Sequence, residues 1–455
     1  MQTKIPRIML AATGSGSGKT TLTCAILKMF LNKKLNTVAF KCGPDYIDPM
    51  FHSKVIGASS RNLDMFMLGE NVCKYLLAKN SSNADIAVLE GVMGYYDGLG
   101  TGIVASSYDL ATATKTPTVL IVNGKGAAIS VAAMIKGFKE FRSDSNIQGV
   151  IVNNISPSVY SFYKDVWEQE CGVKMCGCFP PLSSEQVFAG RHLGLITADE
   201  ISNLQELATQ LATLAEEHLD VDVLLDIANN APALEYEDIL MDRIADVTIA
   251  VAQDRAFCFY YKDSLELLET LGAKLISFSP LVDKQLPICD GFYLGGGYPE
   301  LYLRELEDNV EMRNSIKAAI ANGLPCLAEC GGFMYLFNSI ENEGDSASMC
   351  GVINGTASMT TSLKRFGYIQ LTAQRDNILA KTGEKIHAHE FHYSDSDCNG
   401  HDFLAVKPHS KRSWECVVAN ESMFAGYPHL HLWGNINFAK NFIRQCQKYA
   451  IQKHK

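Results

Sequence analysis

No stretch of this 455-residue chain approaches about 18 consecutive apolar residues, which leaves no candidate for a membrane-spanning helix. The apolar run at 8–12 is too short for the core of a signal peptide, so a cytoplasmic protein is expected. Positive charge is in deficit: 40 Lys and Arg against 50 Asp and Glu leave a net charge of −10. That balance argues against nucleic acid or an acidic membrane as partner, but not against a local basic pocket for a small anion. Cysteine pairs of metal-binding type are missing too. The 14 cysteines are scattered, and Cys176-Gly177-Cys178 is too closely spaced for a CxxC, which predicts free thiols in a reducing compartment. The remaining composition, 47% hydrophobic and 20% charged, is that of a globular protein whose length calls for two or three domains.

The densest local signal is the run Ala11-Ala12-Thr13-Gly14-Ser15-Gly16-Ser17-Gly18-Lys19-Thr20-Thr21. An apolar segment leads in (8–12) and a segment of helical character leads out (22–31). Glycines between a strand and a helix N-terminus let several backbone N–H groups converge on a phosphate. Lys19 adds positive charge, and Thr20 offers a hydroxyl to Mg²⁺. Thr13 stands where the strict P-loop pattern has its first glycine. A flexible Gly/Ser turn is the bland alternative, but strand and helix context favour a nucleoside triphosphate site. Further strand-like runs at 37–41 and 85–90 end in polar loops. The first delivers Lys41, Asp45 and Asp48; the second delivers Glu90 and then Asp97. Carboxylates at the carboxyl ends of strands lie where open α/β sheets bind ligands, and Glu90 is a natural Mg²⁺ partner there. Runs at 118–122 and 149–153, the latter ending in Asn153, complete a βαβ rhythm and a mostly parallel sheet. A charged loop follows at 191–195, then a helical stretch to about 227.

Composition divides the chain into a domain at 1–228, an Ala/Pro/acidic linker at 229–244 and a second domain at 245–455. In the latter, Gly295-Gly296-Gly297 can present N–H groups to an oxyanion. The run Pro325-Cys326-Leu327-Ala328-Glu329-Cys330-Gly331-Gly332 has the logic of a nucleophile elbow, with Cys330 at a helix start that favours thiolate. His429 and His431, on one face of an extended segment, are both candidates for its base. Two more polar clusters, 387–392 with Glu390 and 365–368 with Arg365, carry no role derivable from their pattern.

Seven runs together resemble one family, cobyrinate a,c-diamide synthase: ATGSGSGKTT, FKCGPDYIDP, LEGVMGYYDG, LGGGYPEL, AECGGFMYL, HEFHYS and YPHLHLW. The resemblance spans nearly the whole chain in order. It implies an α/β fold of two doubly wound domains: an N-terminal P-loop NTPase-like parallel sheet similar to dethiobiotin synthetase, and a C-terminal flavodoxin-like, class I glutamine amidotransferase domain. It implies ATP and glutamine as co-substrates, Mg²⁺ as cofactor, and amidation of the a- and c-acetates of a corrinoid in cobalamin biosynthesis. By the resemblance, Gly14, Ser15, Gly16, Ser17, Gly18, Lys19, Thr20, Thr21 and Lys41 hold the phosphates, and Asn153 reads adenine. Thr20 and Glu90 hold Mg²⁺, and Asp45, Asp48 and Asp97 meet the substrate carboxylate. Cys330 is the nucleophile and Gly296, Gly297 and Gly331 the oxyanion donors. His429 is favoured as base with His431 the alternative, because His431 occupies the position where many relatives carry the glutamate of a triad. Hydrogenobyrinic acid, nickel sirohydrochlorin, the reaction of cobyric acid synthase and a homodimeric assembly all stay open at this level. A partner-binding switch ATPase would carry an early lysine where Thr13 and Gly14 stand.

Overall fold

A computed structural model of the chain describes residues 1–183, 188 and 198–453; the charged loop at 191–195 lies outside them. The described residues form two compact units, Met1–Ile239 and Leu240–Lys455. No helix among them is long and apolar enough to cross a membrane.

Seven strands make the sheet of the first unit: β1 (Arg7–Ala12), β2 (Thr37–Cys42), β3 (Ser59–Leu63), β4 (Ile86–Glu90), β5 (Thr118–Asn123), β6 (Ile147–Asn153) and β7 (Lys174–Phe179). Their order is β3-β2-β4-β1-β5-β6-β7, and every pairing is parallel. β1 and β4 are buried along their whole length, as strands covered on both faces must be, which is why their sequences read as unbroken apolar runs. Helix α1 (Lys19–Asn32) starts at the end of the glycine loop. It buries Leu22, Ile26 and Phe30 in a core shared with Ala208, Leu211 and Ala215 of α2 (Ala198–His218). The carboxyl ends of β1, β2 and β4 therefore open onto one edge, carrying the glycine loop, Lys41 and Glu90.

The polar edge strand β3 and the Gly-interrupted β7 have no apolar pattern that announces them. The stretch expected to be linker also departs from expectation in its first half. Leu234–Glu235 pairs antiparallel with Gln2–Thr3, and the Arg7 guanidinium donates to the carbonyl of Pro232 (2.8 Å). Leu234 is buried, so one apolar residue pins a segment whose composition looks solvated.

The second unit contains, in order, β8 (Val247–Ala252), α3 (Lys262–Thr270), β9 (Ala273–Phe278), β10 (Gly291–Leu294), β11 (Cys326–Glu329) and α4 (Gly331–Tyr335). There follow β12 (Arg365–Ala373), β13 (Lys385–His392), β14 (Phe403–Val406), β15 (Ser413–Cys416), β16 (Val418–Ala419), β17 (Met423–Gly426), β18 (His429–Leu430) and α5 (Ile436–Lys453). The main sheet runs β9-β8-β10-β11-β17-β16. Its first five strands are parallel in the 2-1-3-4-5 order of flavodoxin-like folds, and β16 closes the edge antiparallel. A second sheet, β15-β14-β12-β13-β18, is antiparallel throughout. It is an addition to the doubly wound plan, and it brings the clusters at 365–368 and 387–392 onto adjacent strands.

Candidate functional site

In the first unit the glycine loop is shaped by Gly18, whose φ of 85° suits glycine alone. A Cβ there would lie 2.2 Å from the Asn153 amide nitrogen, which donates to the Ser17 carbonyl (2.9 Å). Asn153 thus braces the loop from β6, using for it a donor that the family resemblance assigns to adenine reading. Ser15 and Gly16 form the exposed crown of the loop, while Ser17 and Thr21 are buried beneath it. Lys19 donates to the Met93 carbonyl (2.8 Å); burial first, then the charge of Lys41, lowers its pKa to about 8.

Below the loop lies a buried charge cluster. The Lys41 ammonium donates to Asp48 Oδ2 (2.5 Å) and to Glu90 Oε1 (3.0 Å), with Asp45 Oδ2 3.9 Å away. The Thr20 hydroxyl donates to the same Glu90 oxygen (2.7 Å). The other Glu90 oxygen is 3.0 Å from His52 Nε2, and His52 Nδ1 is 3.2 Å from the Ser60 hydroxyl. Burial opposes ionisation of Glu90, yet Lys41, His52 and Thr20 hold its carboxyl well below the usual range. Lys41 is likewise raised, its three carboxylate neighbours outweighing burial. Asp45 spends Oδ1 on the N–H groups of Ile47 and Asp48, fixing the turn that drives Asp48 inward. Asp97 turns back onto its own loop, accepting from Gly94 N–H (2.9 Å).

Sequence reasoning missed His52; a lone histidine after a Pro-containing loop gives no periodic signal. Among the described residues no three His, Cys, Asp or Glu side chains form a metal cluster by themselves. The carboxylate oxygens of Asp48 and Glu90 do converge on one cation, the Lys41 ammonium, with the Thr20 hydroxyl bonded to the same Glu90 oxygen. Such hard donors suit Mg²⁺, which takes few protein ligands and completes its shell with water and phosphate oxygens.

In the second unit Cys330 joins β11 to α4 with φ 47° and ψ −105°, a conformation that costs an L-residue energy and marks an elbow. Gly331 and the Gly296–Gly297 loop close in: a Cβ on Gly331 would lie 3.1 Å from Gly297 N. A Cβ on Gly296 would lie 2.6 Å from His429 Cε1, so the His429 ring rests on that loop. Nδ1 of His429 is 3.9 Å from Oε2 of Glu329, the residue before the elbow cysteine. Glu329 also accepts from Leu430 N–H (3.2 Å), and burial raises its pKa to about 8. Adjacency to Cys330 was the available signal for Glu329.

His431 has different surroundings. β18 ends at Leu430, and His431, still in extended conformation, packs against other elements. The His431 ring stacks on Tyr261 (4.6 Å), with Nδ1 3.5 Å from the Ser264 hydroxyl, and burial lowers its pKa to about 3. The thiolate expectation for Cys330 is also corrected. Burial pushes the thiol up, and Glu300, Glu329 and Glu390 act in the same direction. A five-residue helix offers little dipole against that. His429 is lowered well below 6.5, by burial and then by His389 and His392. Both shifts favour the neutral thiol and the neutral imidazole over the ion pair.

Comparison with known proteins agrees with both halves. The model of the CobQ/CobB/MinD/ParA nucleotide binding domain matches residues 8–187, and that of the CobB/CobQ-like glutamine amidotransferase domain matches 248–436. A cobyrinate a,c-diamide synthase from Caldanaerobacter subterraneus subsp. tengcongensis is 40% identical over 448 residues, covering 97% of this chain and 98% of its own length. One from Fusobacterium nucleatum subsp. nucleatum is 41% identical over 449 residues (94% and 98%), and one from Listeria innocua 39% over 441 (94% and 97%). The chain belongs to the cobyrinate a,c-diamide synthase family, ligases that join a nucleotide-binding domain to a glutamine amidotransferase domain.

Proposed function

We propose that the chain amidates the a- and c-acetate carboxylates of cobyrinic acid with ATP and glutamine. The supporting observation is the pairing, in one chain, of a phosphate loop seated over Lys41, Asp48 and Glu90 with a strained Cys330 elbow flanked by the Gly296–Gly297 loop on which the His429 ring rests. A carboxylate does not accept ammonia, because hydroxide or oxide is a poor leaving group. Attack of the substrate carboxylate oxygen on the γ-phosphorus releases ADP and leaves an acyl phosphate. Ammonia then adds to the acyl carbon and expels phosphate. Residues 14–21 and Lys41 bind and neutralise the phosphates, and Asp48 and Asp45 orient the incoming acid. Thr20 and Glu90 would hold Mg²⁺, which when bound supplies further charge neutralisation to the phosphate oxygens.

Ammonia comes from glutamine. Cys330 passes its proton to His429 as sulfur attacks the carboxamide carbon. The N–H groups of Gly297 and Gly331 meet the oxyanion, with Gly296 shaping that loop. Return of the proton from His429 to the leaving nitrogen releases ammonia and leaves a thioester, which water hydrolyses to glutamate. Homodimerisation and the domain limits at 228 and 245 belong to the same proposal.

Two experiments test it. With ATP, Mg²⁺ and glutamine, mass spectrometry should find two amides added to cobyrinic acid and fewer to hydrogenobyrinic acid or nickel sirohydrochlorin. Preferential amidation of either alternative would replace the substrate. The second is a pH profile of glutamine hydrolysis at saturating glutamine. Lowering of the His429 pKa keeps the imidazole basic as pH falls through its ordinary value, so the rate should hold from about pH 8 to about pH 6. A half-loss near pH 6.5 would count against a buried His429 base.

A further inference from the structure

The antiparallel layer of the second unit holds a charge pair that the steps above leave unused. Glu390 on β13 is 1% exposed, and neither carboxylate oxygen has a hydrogen-bond partner among the described residues. Its closest cation, Arg365 on the neighbouring strand β12, keeps Nη1 3.9 Å from Oε1, and that Nη1 is also without a hydrogen-bond partner there. The guanidinium lies over the Trp414 ring at 5.0 Å, while the Trp414 indole N–H stands near Glu390, short of a hydrogen bond. Lys407 and Arg412 bear on the carboxylate from the two ends of the loop that joins β14 to β15. A buried ion pair at this separation carries the desolvation cost of two charges and lacks the hydrogen bonds that offset it. Something with both an anionic acceptor and a cationic donor would complete it.

The position of the pair narrows the choice. On β13, His389 is the register partner of His429, their rings 5.0 Å apart, while Glu390 points to the opposite face, which it shares with His392. His392, farther along β13, stacks on Tyr427 at 4.0 Å, and Tyr427 touches Phe333 in the helix that Cys330 starts. Glu390 is moreover within electrostatic range of Cys330. The pair therefore lies in the wall of the elbow site, where a substrate with a zwitterionic end and a carboxamide at the other must bind. We propose that Arg365 and Glu390 form the head-group subsite for glutamine, Arg365 receiving the α-carboxylate and Glu390 the α-ammonium. This deepens the proposed function and rests on it.

The test uses full-length protein and three amides: L-glutamine, glutaramate (no ammonium) and 4-aminobutanamide (no carboxylate). Each charge-assisted contact should be worth roughly 10- to 100-fold in kcat/KM, so wild type should disfavour both analogues by that factor. Glu390→Gln should raise the KM for glutamine by a similar factor with a smaller change in kcat. It should also lose discrimination against glutaramate, while retaining discrimination against 4-aminobutanamide; Arg365→Gln should do the converse. A merely structural role would not exchange one preference for the other. Unchanged preferences in both variants overturn the assignment. Should the variants not fold, wild type decides: hydrolysis of glutaramate within about threefold of glutamine overturns it. Failure of the underlying function looks different, since wild type would then hydrolyse none of the three.

Discussion

Cys330→Ala is expected to remove glutamine-driven amidation while ammonia still drives the reaction. The loss should be on the order of 10³-fold or more, because the nucleophile cannot be replaced by the oxyanion donors alone. Fold is not at stake. The change removes one sulfur atom, and alanine meets the same φ of 47° that cysteine already tolerates. The stability change should stay within about 1 kcal/mol. Acyl-phosphate formation uses the other unit's groups, so ammonium salts at alkaline pH, where more free ammonia is present, should restore the product. The comparison needs two assays on one preparation: glutamate release, and amide gain with either nitrogen source. Glutamine-dependent activity surviving in the variant would refute Cys330 as nucleophile. Loss of the ammonia-driven reaction would mean that the two half-reactions are not separable as proposed.

Much of this was legible because the signals are local. A glycine loop, a strand-end carboxylate and a strand–cysteine–glycine turn each occupy about ten residues, and their chemistry follows from spacing. The parallel character of the first sheet was legible as well, since buried strands between helical stretches read as apolar runs, but the order of its strands was not. Pairings across long separations were not. Glu329 and His429 meet only because β13, β18 and β11 converge, and no spacing in the sequence encodes a contact of 3.9 Å between them. The difference between His429 and His431 depends on a two-residue strand ending between them. The antiparallel layer was hidden because large apolar residues on its outer face blur the alternation: in β12 Ile369, Leu371 and Ala373 are buried, but Phe366 is exposed, Tyr368 half-buried, and Gly367 interrupts the start. The state of the Cys330 thiol was misjudged for a related reason. The helix start is visible in sequence, whereas burial and three carboxylate neighbours are properties of the assembled unit.

Lys41→Met should be the most damaging single change in the first unit. Methionine nearly matches the length of lysine and keeps the packing, but it leaves Asp48 and Glu90, 3% and 0% exposed, without the ammonium between them. Removing one partner of a buried ionic cluster typically costs ~3–5 kcal/mol, since the remaining charge has no water to turn to. For a unit of this size that corresponds to a fall of roughly 6–20 °C in its melting transition. The pH dependence supplies an independent check. In the native cluster Glu90 is depressed, so its stabilisation is present above the unfolded carboxylate pKa of about 4.3 and is lost as pH falls through the folded value. Without Lys41, burial raises the folded carboxylates above their unfolded pKa, so acid relieves the variant. The two melting curves should therefore converge as pH is lowered from about 8 to about 5. Mg²⁺ should narrow the gap at neutral pH by placing a cation among the same oxygens, and ATP-dependent product formation should fall with the lysine. Calorimetry across pH, with and without Mg²⁺, measures all of this. A variant that melts within about 1 kcal/mol of wild type at neutral pH would show that Lys41 is not the counter-charge of this cluster.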